Sequence, residues 1–228
     1  MNQLFDWTQY PRLYCFPDKC NCEPMRAGVL IIQPTAVLSS VPFILIGLWA
    51  WMKSKDFEFK LLAACYIILG FSSIFLHSSY ILVSRYFDFG SIFAIMSWTL
   101  VYLYHSRTNH FKFFLWFLGV TFFMTSMLKI FPKQAIEAFV VWAIVTIIFS
   151  FARVQSFLLN HQQKKDLYLS IFFLFIGSVS FKLDELRYFC FPEWNLYGHS
   201  VWHLLVGVSL IFHFRFFQQI HQHRKSVQ

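Results

Sequence analysis

The chain has 228 residues, of which 57% are hydrophobic and 21% aromatic, and only 13% carry charge. That composition excludes an ordinary soluble domain and fits one membrane-embedded helical bundle with short loops. The formal charge of +8 does not argue for nucleic acid, because the Lys and Arg residues are scattered between apolar runs, as in loops that orient a membrane protein.

Residues 1–33 form an outer amino-terminal segment, of which 1–28 are mixed and polar, with no basic stretch followed by an apolar run, so they do not read as a cleaved signal peptide. Seven apolar spans follow, over about 34–52, 61–81, 88–104, 113–129, 135–152, 168–182 and 199–217. The first starts after Gln33-Pro34, a natural helix start, and contains Pro42, a candidate kink. Residues 218–228 form a polar basic tail. The expected fold is therefore all-α, a single seven-span membrane domain. Seven spans put the two termini on opposite sides. Of the 19 Lys and Arg residues, eight fall on the amino-terminal side and eleven on the other. The positive-inside rule then puts the amino terminus outside and the carboxyl terminus in the cytosol. Cys15, Cys20, Cys22 and Cys190 all fall on the outer side, where disulfides persist. Cys190 is expected to pair with Cys20 or Cys22, and Cys65 to be an apolar filler in span two.

Five polar residues interrupt the apolar spans. Ser73 and His77 stand four apart in span two, and His199 and His203 four apart at the opening of span seven, so each pair shares a helix face. Asp88 opens span three. Span two ends on the outer side, and spans three and seven begin there. His77, Asp88, His199 and His203 are thus expected at one depth. An ionisable residue within a span marks a functional site by default. Three neutral imidazoles and a water make a catalytic zinc site with one open position. Asp88 is the candidate general base or an orienting partner of a liganding His. Ser73 is the candidate donor to a developing oxyanion. Lys182, Asp184, Glu185 and Arg187 read as a solvated or mutually paired loop cluster, with Asp184 also able to support the zinc site.

These motifs resemble those of the CREST superfamily of seven-span membrane hydrolases, and the alkaline ceramidases in particular. That family has Ser-x-x-x-His on span two, an Asp eleven residues later, and His-x-x-x-His opening span seven, matched here by Ser73, His77, Asp88, His199 and His203. Cys22-Glu23 is similar to its Cys-Glu pair before span one, and Asp184 and Cys190 to its Asp and Cys before span seven. The resemblance implies zinc on His77, His199 and His203, catalysis by Asp88 and Ser73, a ceramide-like membrane lipid as substrate, and a disulfide from the amino-terminal segment to the last outer loop. It also implies a calcium cluster, but only Glu23 matches, with Pro24 and Met25 after it and Gln33 near the position of a family acid. Two other readings are a lipid ester hydrolase of the same superfamily and a seven-span lipid receptor with a structural zinc.

Overall fold

In a computed structural model the described residues are 7–13, 21–26, 28–104, 109–131, 134–155 and 159–226. Seven helices run through them: α1 Pro34–Lys53, α2 Phe57–Ser79, α3 Leu82–Tyr104, α4 His110–Ile130, α5 Ala135–Val154, α6 His161–Glu185 and α7 Gly198–Ser226. Each contains a stretch long and apolar enough to cross a membrane. Between α6 and α7 a two-stranded hairpin pairs Cys190–Phe191 with Leu196–Tyr197.

The helices outrun the apolar spans read from sequence, because backbone hydrogen bonding continues through polar turns. Helix α2 starts at 57 rather than 61. Helix α6 starts at 161 rather than 168, where Asn160 and Gln163 form a reciprocal capping box. Helix α3 starts at Leu82 rather than 88, so Asp88 lies in its second turn and not at its mouth. Helix α7 continues to Ser226 through most of the expected tail. There His221 is buried and its Nε2 lies 3.0 Å from Asp56 Oδ2. Pro42 sits inside α1 without ending it.

The helices form an open arc. The closest pairs are α1 with α2 and α6 with α7; α1 also packs on α7, α3 on α2, and α4 and α5 on α3. Lipid supplies no hydrophobic force between helices, so close backbone approach through small residues matters more. At Gly47 a Cβ would lie 2.7 Å from the backbone nitrogen of Ile67, so only glycine permits the α1–α2 crossing. Helices α5 and α6 close the two ends of the arc and share no extensive packing with each other.

The arc encloses a cavity of about 810 Å³ with mostly apolar walls from α2, α3, α5, α6 and α7. Along α7 it extends from His199 past His203 to Phe217. The fourteen steps from His203 to Phe217 rise roughly 21 Å at 1.5 Å per residue. Its far end holds a neutral histidine. Thr99 Oγ1 donates to the Ile95 carbonyl, so it accepts from His213 Nε2 at 3.0 Å, and Tyr66 Oη donates to His213 Nδ1 at 2.8 Å. With both nitrogens engaged, His213 is a pin between α2, α3 and α7.

Candidate metal centre

His77 ends α2, and His199 and His203 open α7, at the same end of the bundle. Their ring centroids lie 4.6–5.2 Å apart, and one donor nitrogen of each falls within 4.8 Å of the others. His77 Nε2 and His199 Nε2 approach to 3.1 Å. All three rings border the cavity.

The surroundings fix the ring tautomers. Gln33 Nε2 donates to the Glu23 carbonyl at 3.0 Å, which turns Gln33 Oε1 toward His77. An amide oxygen only accepts, so His77 Nδ1 carries the proton, and its Nε2 keeps a lone pair. Tyr80 Oη and Asn21 Nδ2 donate to the same oxygen, at 2.7 and 3.3 Å. Around His203, Ser39 and Ser40 each spend their only proton on the Ala36 carbonyl, at 3.0 and 2.8 Å. Ser39 Oγ, 2.9 Å from His203 Nδ1, can then only accept. So His203 Nε2 also keeps its lone pair. His199 Nδ1 is enclosed and has no partner among the described residues.

The donor set can hold a divalent ion. Zinc–nitrogen bonds of 2.0–2.1 Å in a tetrahedron put neighbouring nitrogens roughly 3.3 Å apart, close to the 3.1 Å between His77 and His199. A proton between those two nitrogens satisfies one pair only, whereas a cation satisfies all three rings. Among the described residues the cluster holds three donors and no fourth. That leaves a tetrahedral ion one position for a ligand from the cavity.

Asp184 ties the start of α7 to the amino-terminal segment. It is buried and accepts from the backbone of His199 at 3.1 Å and of Cys22 at 2.8 Å. Within the cluster expected to be solvated or mutually paired, Lys182 and Glu185 form an exposed pair at 2.7 Å, whereas Asp184 is buried and takes the supporting place that was its alternative. Next to Asp184, a Cβ on Gly198 would lie 2.9 Å from the Asp184 Cβ, so α7 can start against α6 only with glycine there. Cys22 is disulfide-bonded to Cys190; Cys20, the other candidate, lies outside the described residues.

Asp88 and Ser73 border the same cavity. Helix α3 is held at this level by Ser72 Oγ, 2.9 Å from Ser91 Oγ, while Ser91 donates to the Asp88 carbonyl at 2.6 Å. The Asp88 carboxylate is buried, outside the histidine cluster, and hydrogen-bonded to no described residue. Ser73 Oγ lies 2.9 Å from Ser40 Oγ. Since the Ser40 proton goes to Ala36, Ser73 is the donor of that pair.

Glu23 is a helix cap. Its two carboxylate oxygens take the backbone N–H groups of Thr35 and Ala36, at 2.7 and 2.9 Å, in the first turn of α1. Burial raises its carboxyl above the usual carboxylate range, and those two N–H groups oppose the rise. The sequence reading missed Ser39, Ser40, Asn21 and Tyr80 as supports, and met Gln33 as the residue before the first helix and as a departure from an acid. The adjacent Ser39-Ser40 pair in an apolar span, near the end shared by the histidines, is the signal that was there to find. Compared with known proteins, the chain matches no family profile and no curated relative.

Proposed function

We propose that the chain is a zinc-dependent intramembrane hydrolase. It cleaves the C–N bond of an N-acyl lipid of the ceramide type with water, and releases a fatty acid and an amine. The observation that carries this reading is the convergence of His77, His199 and His203 on an apolar cavity, with the lone pairs of two rings fixed from behind. Three buried nitrogen donors and an open fourth side suit zinc better than calcium, which prefers six to eight oxygens. Zinc held there supplies Lewis acidity toward a carbonyl and lowers the pKa of a water to about 7.

The chain's own groups supply the rest. Asp88 has a carboxylate uncommitted to other described residues and borders the cavity, so it can accept a proton and return it to the leaving amine. Ser73 can turn its hydroxyl from Ser40 toward a developing oxyanion, giving up one hydrogen bond to do so. The length and apolar lining of the cavity suit an alkyl chain. The loose α5–α6 side suits lateral entry from the bilayer. In this reading the histidine end faces the outer or lumenal side and the carboxyl terminus the cytosol.

The test is metal analysis of purified protein, followed by incubation with a panel of N-acyl and O-acyl lipids and mass-spectrometric detection of released fatty acid. About one zinc per chain is expected, lost in a His199→Ala, His203→Ala double variant. Stoichiometric zinc that survives the double substitution overturns the site. Absence of fatty acid release from every lipid by zinc-loaded protein overturns the hydrolase reading, and release from esters alone overturns the amide assignment.

A further inference from the structure

The formal charge of +8 is divided unequally between the two ends of the bundle. Counted along the sequence, the end with the histidine cluster has eight Lys and Arg against eight Asp and Glu, and the end with the carboxyl terminus has eleven against three. The whole net charge therefore lies at one end.

Packing sharpens this asymmetry, because the three acids of the basic end are turned toward internal partners. Asp56 Oδ2 lies 3.0 Å from His221 Nε2. Glu58 is buried, with its Oε1 2.7 Å from His110 Nδ1. Asp166 is buried, accepts from Gln162 and Gln219 at 3.0 and 2.7 Å, and lies 3.4 Å from Arg215 Nε. By contrast Lys53, Lys55, Lys112, Lys164 and Lys165 are exposed, and their ammonium groups pair with no acid among the described residues.

Aromatic rings stand at the level of these cations. Lys112 lies four residues before Trp116 on α4, and Lys164 four before Tyr168 on α6, so each pair shares a helix face. Lys60 Nζ lies 5.5 Å from the centre of the Trp51 ring, and Arg153 Cζ 6.0 Å from that of Tyr104. All four rings are exposed. Exposed Trp and Tyr at the ends of spanning helices mark the headgroup level of a bilayer. A Lys within a turn of that belt can lay its stem along the apolar surface and reach outward to lipid phosphates.

We infer that the carboxyl-terminal end of the bundle is a binding surface for anionic phospholipid headgroups, built on Lys53, Lys55, Lys60, Lys112, Lys164 and Lys165. It draws acidic lipids into the lipid ring around the helices. The opposite end, where charges balance, has no such preference. The occupant is a lipid rather than a soluble polyanion, because the aromatic belt holds the lysines at the bilayer surface, beside headgroups already in place. With the acids of this end bonded inward, nothing of like sign faces the phosphates. Each Lys near an anionic surface is worth roughly fivefold in association. This surface is independent of the hydrolase reading.

The test uses purified full-length protein in phosphatidylcholine vesicles that carry a trace of spin-labelled phosphatidylglycerol or spin-labelled phosphatidylcholine. Electron spin resonance reports the fraction of each probe held at the protein surface. Phosphatidylglycerol is expected to be held about fivefold more strongly than phosphatidylcholine at low salt. The preference should fall toward one in about 1 M salt, where the screening length is ~3 Å. The double variant Lys164→Gln, Lys165→Gln keeps the Asn160–Gln163 capping box of α6 and should show a clearly smaller preference. Lys129→Gln, at the opposite end, should leave the preference unchanged. Equal holding of the two probes, a preference that persists in about 1 M salt, or a double variant that matches the wild type overturns the inference. So does a loss in Lys129→Gln as large as in the double variant. If the double variant does not fold, the salt series on the wild type decides alone. A wild type that binds polyglutamate in detergent and shows no lipid preference assigns the surface to an acidic protein partner instead, and overturns the inference.

Discussion

Gln33→Leu isolates the support behind one metal ligand without touching the ligand. Gln33 is fully buried, and its side chain accepts from His77 Nδ1, Tyr80 and Asn21 while donating to the Glu23 carbonyl. Leucine keeps the approximate volume and removes every one of these bonds. Water cannot take the place of the amide at a site with no exposure, so the His77 Nδ1–H loses its acceptor. The ring is then free to rotate or to change tautomer, which points a proton at the metal. Loss of such an orienting partner costs 10- to 100-fold in metal affinity, or about 1.4–2.8 kcal/mol. Competition against a chromogenic chelator measures it directly in detergent-solubilised protein. Gln33→Glu provides the control: its carboxylate restores an acceptor for His77 and should recover metal affinity, while the lost donor to Glu23 lowers thermal stability. If Gln33→Leu holds metal as tightly as the wild type, the orienting role of Gln33, and with it the tautomer argument for His77, is wrong.

Asp88→Asn is expected to retain zinc and lose at least about a hundredfold in lipid hydrolysis, and Ser73→Ala to retain zinc with a loss of similar order; wild-type turnover in Asp88→Asn refutes the assigned base. Cys190→Ser should lower Tm, since the Cys22–Cys190 bond closes a loop over 168 positions and removal of such bonds costs about 2–5 kcal/mol; an unchanged melting curve argues against it. Glu23 is expected to make stability pH-dependent. Its folded carboxyl is raised by burial, so the folded chain binds that proton more tightly than the unfolded one. Stability from this group is therefore highest below the unfolded value and falls as pH rises through the raised one. Melting of Glu23→Gln between pH 4 and 8 should show less of this decline than the wild type.

The seven helices and the layer of polar residues were legible for the same physical reason. In a bilayer a polar side chain has few tolerable places, so its depth along a span carries information. Counting spans brought His77, His199 and His203 to one end before any fold was known, and the three rings do meet there. The helix ends were less legible, because hydropathy falls before hydrogen bonding does. Asp88 shows the cost: it reads as a residue at a helix mouth, yet it lies in the second turn of α3 and is buried. Asp184 was obscured by its neighbours. Lys182, Glu185 and Arg187 give the segment the look of a solvated loop, and one buried acid among exposed charges has the same letter code as an exposed one.

The serines behind His203 mark where local sequence stops being informative. Ser39 and Ser40 donate to the Ala36 carbonyl in the same back-bonding pattern that Ser178 uses with Leu174 and Thr121 with Phe117. Such bonds satisfy a hydroxyl proton within its own helix and leave its lone pairs unassigned. What those lone pairs meet depends on the helix packed against them. For Ser39 that neighbour is α7, and its residue at that level is His203. A serine that is merely satisfied and a serine that fixes a ligand's tautomer therefore have identical local bonding, and they differ only in a contact across 164 residues of chain. Ser39→Ala removes the lone pair but not the helix, so a selective loss of metal affinity with little change in Tm is what separates the two roles.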